Sequence, residues 1–376
     1  MPSITKYETA TGTRYRVRYR KPNGRQTDTR GFKTKKLAEL YAASIEVDKA
    51  HGTYTDPTAG RITIGELAPT WLNHKKAMLK PSSYQGLPGA WHKHVEPTWH
   101  DRAVSSIQPS EVNDWIAKLT KRKSASVVKR AHGILAGILD RALDDKRIPT
   151  NPARGKNIRL PKKNRKANIY LTHRQVELLA HQSAHPLLVY LMAYTGLRWG
   201  EAIALSVKDV NEVKRRISVN TNAPTVGGIP TPGTPKSHEH RTVPYPAFMQ
   251  PMLKEQMRDR GPDSLLNGNG ATYMKLPDSR DGWFANAVSR AQKLAAQQKI
   301  AFPRITPHDL RHTAASLAVS AGANVKVVQR MLGHASAAMT LDTYADLFDI
   351  DLDTVAVKLN EARESDVGKM WANGHS

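Results

Sequence analysis

Apolar and polar residues change period several times along this chain of 376 residues, and each change marks an element. Between Arg14 and Arg20 the order is Arg-Tyr-Arg-Val-Arg-Tyr-Arg. Period two puts Tyr15, Val17 and Tyr19 on one face of a strand and Arg14, Arg16, Arg18 and Arg20 on the other. Lys21-Pro22-Asn23-Gly24 follows with turn chemistry, because Asn-Gly tolerates the positive φ of a tight hairpin. A second strand over roughly Arg25–Phe32 then pairs back. Thr34 is placed to cap a helix whose inner face carries Leu37, Leu40, Tyr41 and Ile45.

From residue 61 to about 150 the pattern is helical throughout. Ile62, Ile64, Leu67, Trp71 and Leu72 begin it. A strong helix starts near Ser126, with Val127, Val128, Ile134, Leu135, Ile138, Leu139 and Leu143 at helical spacing, and Pro149 and Pro152 end it. The stretch between, with Trp91, Trp99, His92, His94 and His100, has no clear period, and its histidines read as surface or DNA-facing positions rather than metal ligands, because no carboxylate or cysteine completes a ligand set. Arg154 to Lys166 has the composition of a basic linker, with Arg154, Lys156, Arg159, Lys162, Lys163, Arg165 and Lys166 around Pro161. Beyond it, Thr172 and Gln175 form a capping box, Leu187–Tyr194 reads as a buried helix broken at Gly196, and Arg215–Asn220 as a strand. Residues 221–242, rich in Pro and Gly around Lys236, predict an extended excursion.

Charge adds a partner to this outline. Lys and Arg number 57 against 33 Asp and Glu, a net charge of +24, and call for a polyanion. The excess runs along the whole chain, which favours nucleic acid over a membrane surface. An arginine row on a small sheet suits a DNA groove, and the basic linker suits phosphates. The cysteine count of 0 removes disulfides, thiolate nucleophiles and cysteine-based zinc sites. With no signal-like or membrane-spanning apolar run, a cytoplasmic protein is expected.

The chemistry concentrates late. Thr306-Pro307-His308-Asp309-Leu310-Arg311-His312 has an N-cap, a proline at the first helical position and a capping-box acid. His308 and Arg311 then share a face of the first turn, with His312 one position on. An arginine there opposes the helix dipole unless an anion is present. Asn324 caps a further helix, with Val327, Val328 and Met331 or Leu332 on its apolar face, and Gly333-His334 ends it. His308 and His312 also stand i, i+4, as in zinc peptidase helices, with His334 as a third donor. Against a metal, Asp309 stands where that motif has glutamate, and Arg311 would set a cation beside the ion.

Taken in order, Thr195-Gly196-Leu197-Arg198-x-Gly-Glu201, His308-x-x-Arg311-His312, Leu332-Gly333-His334 and Tyr344 ten residues later resemble the tyrosine recombinase (phage integrase) family. The resemblance covers roughly residues 165–362. It implies that Arg198 and Arg311 clamp the non-bridging oxygens of a scissile phosphate, where charge accumulates in the transition state. Tyr344 would be the nucleophile, His308 the general base, and His334 a hydrogen-bonding group on the phosphate. Lys236, in Thr234-Pro235-Lys236-Ser237-x-x-x-Arg241, matches the family's hairpin lysine that protonates the leaving 5′-oxygen, although Lys208 and Lys214 also lie between the two arginines. Glu201 matches a supporting acid, and His312 reads as a packing or supporting residue. A phenol with pKa near 10 is only about 0.1% ionised at neutral pH, so it needs nearby cations and a proton acceptor.

The implied fold is multidomain α+β. A small sheet with one helix (1–60) resembles an arm-type DNA-binding domain, followed by an all-helical core-binding domain (61–152) and a basic linker (153–168). A mainly helical catalytic domain with a small sheet (169–364) and a disordered tail (365–376) complete it. The implied reaction stores the phosphodiester energy in a 3′-phosphotyrosine, with no metal or ATP. It runs in a homotetramer on double-stranded DNA with core and arm-type sites, inside a bacterial host cell. A host DNA-bending protein and an excisionase are admitted as further partners. Leu352, Val355, Val357 and Leu359 read as a helix that packs on its own protomer or is exchanged with a neighbour. The alternatives are a chromosome-resolution recombinase, a type IB topoisomerase, or a catalytically inactive DNA-binding protein.

Overall fold

The computed structural model describes residues 2–22, 24–52, 54–56, 58–163, 167–233, 240–348, 356–357, 359–365 and 367. They form two compact units, residues 1–165 and 166–376.

The first unit opens with three antiparallel strands, β1 (Ser3–Thr9), β2 (Gly12–Arg20) and β3 (Gln26–Phe32), in that order across the sheet. The alternation of β2 sorts its residues as expected. Val17 and Tyr19 are buried with Ile4, Tyr15 and Phe32 packed around them, while Arg18 and Arg20 are exposed and Arg14 and Arg16 half-buried. β1 was not legible, because its charged and threonine positions carry no period. Thr34 caps α1 (Lys35–Ala50) through the Leu37 backbone N–H. Its inner face differs from expectation. Ala38 and Ile45 are buried, whereas Leu37 and Leu40 are 49% and 60% exposed. Small Ala38 and Ala42, with Tyr41 and Ile45, form the stripe against the sheet, and Leu37 lies about 100° away from Ala38 around the helix.

A helical bundle follows: α2 (Ile64–Met78), α3 (Pro81–Tyr84), α4 (Gly86–Ala90), a π-helical turn (Trp91–Val95), α5 (Glu96–Trp99), α6 (Pro109–Thr120) and α7 (Ala125–Asp144). The unassigned stretch is therefore helical. Pro97 explains the π turn: it has no N–H for the usual bond one turn back, and the ladder is re-spaced just before it. Trp71, Trp91, Trp99 and Trp115 fill the core with the apolar face of α7, and Trp99 meets Trp115 edge to face at 5.7 Å. His92 pairs with Glu96 and His100 with Asp101 on the surface.

The start of the basic segment belongs to this bundle rather than to a free strap. Arg154 donates to Asp140 through Nε at 2.9 and 3.0 Å, and Ala153 is buried. Asn113 fastens the Asn157 carbonyl and the Arg159 N–H, both at 3.1 Å. Lys162 and Lys163 are exposed. Arg165 lies outside the described residues.

In the second unit, α8 (His173–His181), α9 (Pro186–Thr195), α10 (Trp199–Ala202), α11 (Gln250–Met257), α12 (Trp283–Gln297) and α13 (Pro307–Ser320) surround one core. A sheet in the order β4 (Val210–Asn211), β5 (Arg216–Val219), β8 (Arg241–Pro244) flanks it, with a β6 (Thr225–Val226)–β7 (Ile229–Pro230) hairpin between β5 and β8. Thr172 and Gln175 cap α8 reciprocally at 3.3 and 2.7 Å. Every residue from Leu187 to Ala193 of α9 is buried, so its pattern shows no amphipathic period. α14 (Val325–Leu332) and α15 (Ala337–Phe348) close the unit. Val328 and Leu332 form the inner face of α14, and Val327 is half exposed rather than part of it. Val357 and Leu359 are exposed, and Leu352, Val355 and nearly all of the tail lie outside the described residues. No described helix is long and apolar enough to cross a membrane.

Candidate active site

Three chain breaks bring the site together. α9 ends at Gly196, whose φ of 67° is left-handed. A Cβ there would stand 2.5 Å from Leu332 Cδ2, so only glycine fits both the backbone and the neighbour. Arg198 follows at the start of α10. α14 ends at Gly333, with φ of 64°, and releases His334 toward the same point. α13 begins there through its Thr306–Asp309 cap, in which both the Thr306 N–H and hydroxyl donate to Asp309 at 2.7 Å.

The arginines are organised by carbonyls and one acid. Arg311, only 3% exposed, donates through Nη1 to the Gly196 carbonyl at 2.5 Å and through Nη2 to the Leu332 carbonyl at 2.7 Å. This resolves the conflict of a cation at a helix start. The side chain reaches to the carbonyl ends of α9 and α14, where helix dipoles favour positive charge. Glu201, 1% exposed, accepts from Arg198 Nη1 at 2.8 Å and from the Arg198 N–H at 2.9 Å. Arg241 binds the same carboxylate at 2.6 and 3.1 Å and gives its Nε to the Met331 carbonyl at 3.2 Å. Burial alone would raise the Glu201 carboxyl, but the Arg241 hydrogen bond and the charges of Arg241 and Arg198 outweigh it and hold the pKa down at about 2. Burial and the adjacent Arg198 push Arg311 down to about 9, so it remains a cation at neutral pH.

Tyr344 is 1% exposed and stands at a kink of α15, with φ −130° and ψ 26°. Its hydroxyl is 2.9 Å from His312 Nδ1. The His334 ring lies parallel to the phenol at 6.2 Å, and its Nδ1 meets the Thr340 hydroxyl at 3.0 Å. His308 is edge-on to His312 at 4.9 Å. Burial raises the Tyr344 phenol to about 12, against the pull of Arg311 and Arg198. Burial, then Arg311 and Arg198, lower His334 to about 4. Burial leads the lowering of His308 and His312 too, so all three imidazoles are neutral at pH 7. The arrangement is a cationic, anion-seeking floor beside a phenol ringed by neutral imidazoles. A cavity of about 290 Å³, lined by His240, Arg241, Arg330 and His334 among others, opens beside it.

The sequence matches the description "Phage integrase family" over residues 169–349 and "Phage integrase central domain" over 64–157. The chain belongs to the tyrosine recombinase (phage integrase) family. The integrase of Mycobacterium phage L5 is 25% identical over 312 residues, 82% of this chain and 80% of the relative. A "Tyrosine recombinase XerC-like" protein of Caldanaerobacter subterraneus is 25% identical over 329 residues, 80% of this chain and 83% of the relative. Among solved structures, the Tn1549 transposon integrase in complex with a circular intermediate DNA is similar in fold, with TM-score 0.65 at 20% identity over 80% of this chain and 99% of that one. A lambda integrase tetramer bound to a Holliday junction matches with TM-score 0.55 at 15% identity, over 88% and 96%. By this membership the chain is a tyrosine site-specific recombinase of the phage and transposon class.

Arg198, Glu201, His308, Arg311, His312, His334 and Tyr344 of this integrase-family chain thus converge. Lys236 lies outside the described residues. Lys208 is occupied by Asp263 at 2.6 Å. Sequence reasoning missed Arg241, Thr340, Asn168 and Tyr170. Arg241 had a signal: it is in phase with Val243 on β8, the buried face of a strand. Asn168 holds the Thr343 carbonyl at 2.8 Å and Tyr170 donates to Asp346 at 2.8 Å. Both lie some 175 residues from the elements they hold, and no local pattern marks them.

Proposed function

We propose that this recombinase is the integrase of a phage or mobile element and that Tyr344 attacks the scissile phosphate to form a 3′-phosphotyrosine. On this reading Arg198 and Arg311 bind the non-bridging oxygens, with guanidinium forks that suit them better than lysine would. His334 completes the hydrogen bonding to phosphate, His308 belongs to the same set through the family resemblance, and Lys236 protonates the leaving 5′-oxygen. Glu201 keeps Arg198 in place. The observation that carries the reading is the buried Tyr344 hydroxyl, set among His312, His334 and the Arg198–Arg311 pair.

The same reading makes double-stranded DNA the partner, met by the catalytic unit, the helical bundle, the exposed Lys162 and Lys163, and Arg165. The β2 arginine face, Arg14 to Arg20, would engage separate arm-type sites. Two duplexes and four cleavage events call for a homotetramer, and the reaction belongs to a bacterial cytoplasm. A DNA-bending protein and an excisionase are further partners on this view. The stored phosphotyrosine bond provides for resealing by a partner 5′-hydroxyl without ATP or metal.

A covalent-trapping assay tests it. Purified protein is mixed, without magnesium or ATP, with nicked duplexes from the DNA flanking its own gene and run on a denaturing gel. An adduct that disappears in Tyr344→Phe while DNA binding stays is the expected result. Tight, salt-sensitive binding with no adduct from wild type on any such fragment would refute the catalytic reading.

A further inference from the structure

The group on the Tyr344 hydroxyl is His312, one residue beyond the arginine of the His308–Arg311 motif. Its Nδ1 stands 2.9 Å from the phenolic oxygen, within proton-transfer distance. The other two imidazoles are placed differently. His334 lies with its ring parallel to the phenol, at 6.2 Å between centroids, and its Nδ1 is engaged by Thr340. His308 sits one turn earlier on α13 and meets the edge of His312, not the phenol.

We propose that His312 is the catalytic residue that takes the phenolic proton when Tyr344 attacks, an inference that depends on the recombinase reading of this site. The proton passes from Tyr344 Oη to His312 Nδ1 as the Oη–phosphorus bond forms and the bond from phosphorus to the 5′-oxygen breaks. The leaving oxygen takes its own proton from a separate acid. On resealing, the imidazolium returns its proton to the phenol. The electrostatics agree with this role. Around His312 stand His308, Asp309 and Arg311 on its own helix, His334 just after α14 and Tyr344 on α15; burial and the neighbouring His308 outweigh Asp309 and keep the ring unprotonated and able to accept. The bland alternative is a half-buried histidine that only holds the tyrosine in its pocket.

Single-turnover adduct formation separates the two. It is followed from pH 5 to 9 on nicked duplexes flanking the gene, with wild type, His312→Ala, His312→Gln and His308→Ala. His312→Ala should lose roughly 100-fold or more, the range of general-base catalysis, while binding DNA normally. His312→Gln keeps a hydrogen-bonding side chain but cannot take up a proton, and should stay as slow. The acid limb of the wild-type rate, falling below the ordinary histidine range, should vanish in both His312 variants and persist in His308→Ala. Recovery of the rate by His312→Gln would overturn the proposal in favour of positioning. A His312→Ala rate within about threefold of wild type, or above it, would also overturn it, the faster case marking a resting latch. An acid limb lost only in His308→Ala would return the proton to that residue. Failure of wild type itself to form an adduct would overturn the recombinase reading of the site, and this inference with it.

Discussion

Arg241 and Glu201 form a two-point ion pair, at 2.6 and 3.1 Å, in which both side chains are more than nine-tenths buried. The pair turns the acid so that its second contact reaches Arg198. An arginine on a strand thereby fixes an arginine on a distant helix start. Removing one partner leaves a buried charge whose desolvation is no longer offset, at a cost of about 3–5 kcal/mol.

Arg241→Met should therefore lower stability by about 3–5 kcal/mol, and Glu201→Gln added to it should restore a substantial part. Urea unfolding of the full chain reads both. Simple additivity of the two substitutions would contradict a coupled pair.

Glu201 also sets an acid limit. Its folded pKa, about 2, lies below its unfolded value near 4.3, so its contribution is full above the unfolded value and is lost as pH falls toward 2. The urea midpoint of wild type should drop between about pH 4.5 and 2.5, and the drop should be shallower in Glu201→Gln. Parallel curves would assign the acid sensitivity to other carboxylates.

Asn168 and Tyr170 grip α15 on either side of Tyr344, through the Thr343 carbonyl and the Asp346 carboxylate. The neutral bond is worth about 0.5–1.5 kcal/mol and the one to the carboxylate about 1.5–3 kcal/mol. Asn168→Ala with Tyr170→Phe should slow adduct formation by roughly 10-fold while DNA affinity stays within twofold. Gel-shift titration beside single-turnover cleavage makes the comparison; a matching loss of affinity would show a wider structural role.

The arginine face of β2 should serve DNA distinct from the cleaved site. Replacing Arg16, Arg18 and Arg20 with glutamine should weaken binding to arm-type fragments and flatten its salt dependence by up to about three charges. Cleavage of core-site fragments should remain largely intact. Equal losses on both fragments, measured by filter binding across salt concentrations, would argue against a separate arm-binding surface.

Much of this molecule is written in short-range pattern. The β2 alternation, the Thr34, Thr172, Thr306 and Asn324 caps and the Gly196 and Gly333 breaks are each decided within four or five residues, and all stand where local chemistry puts them. The residue types of the site were legible for the same reason: a motif fixes which side chains are present and on which turn. Which face of α1 turned inward was not. Leu37 and Leu40 are the more apolar residues, but the sheet approaches closely enough to select Ala38 and Ala42. Partnership across the chain was equally hidden. His312 came to the phenol, Arg241 to Glu201 and Asn168 to the tyrosine helix because packing of α9, α13, α14 and β8 brought them within 3 Å or so. Local pattern was enough for most elements, their caps and the chemical family, but not for β1 or the short helices around Trp91 and Trp99. Which hydrogen-bond partner and which counter-ion each of these side chains meets came from packing across the chain, since hydrogen bonds depend on distances that no local period encodes.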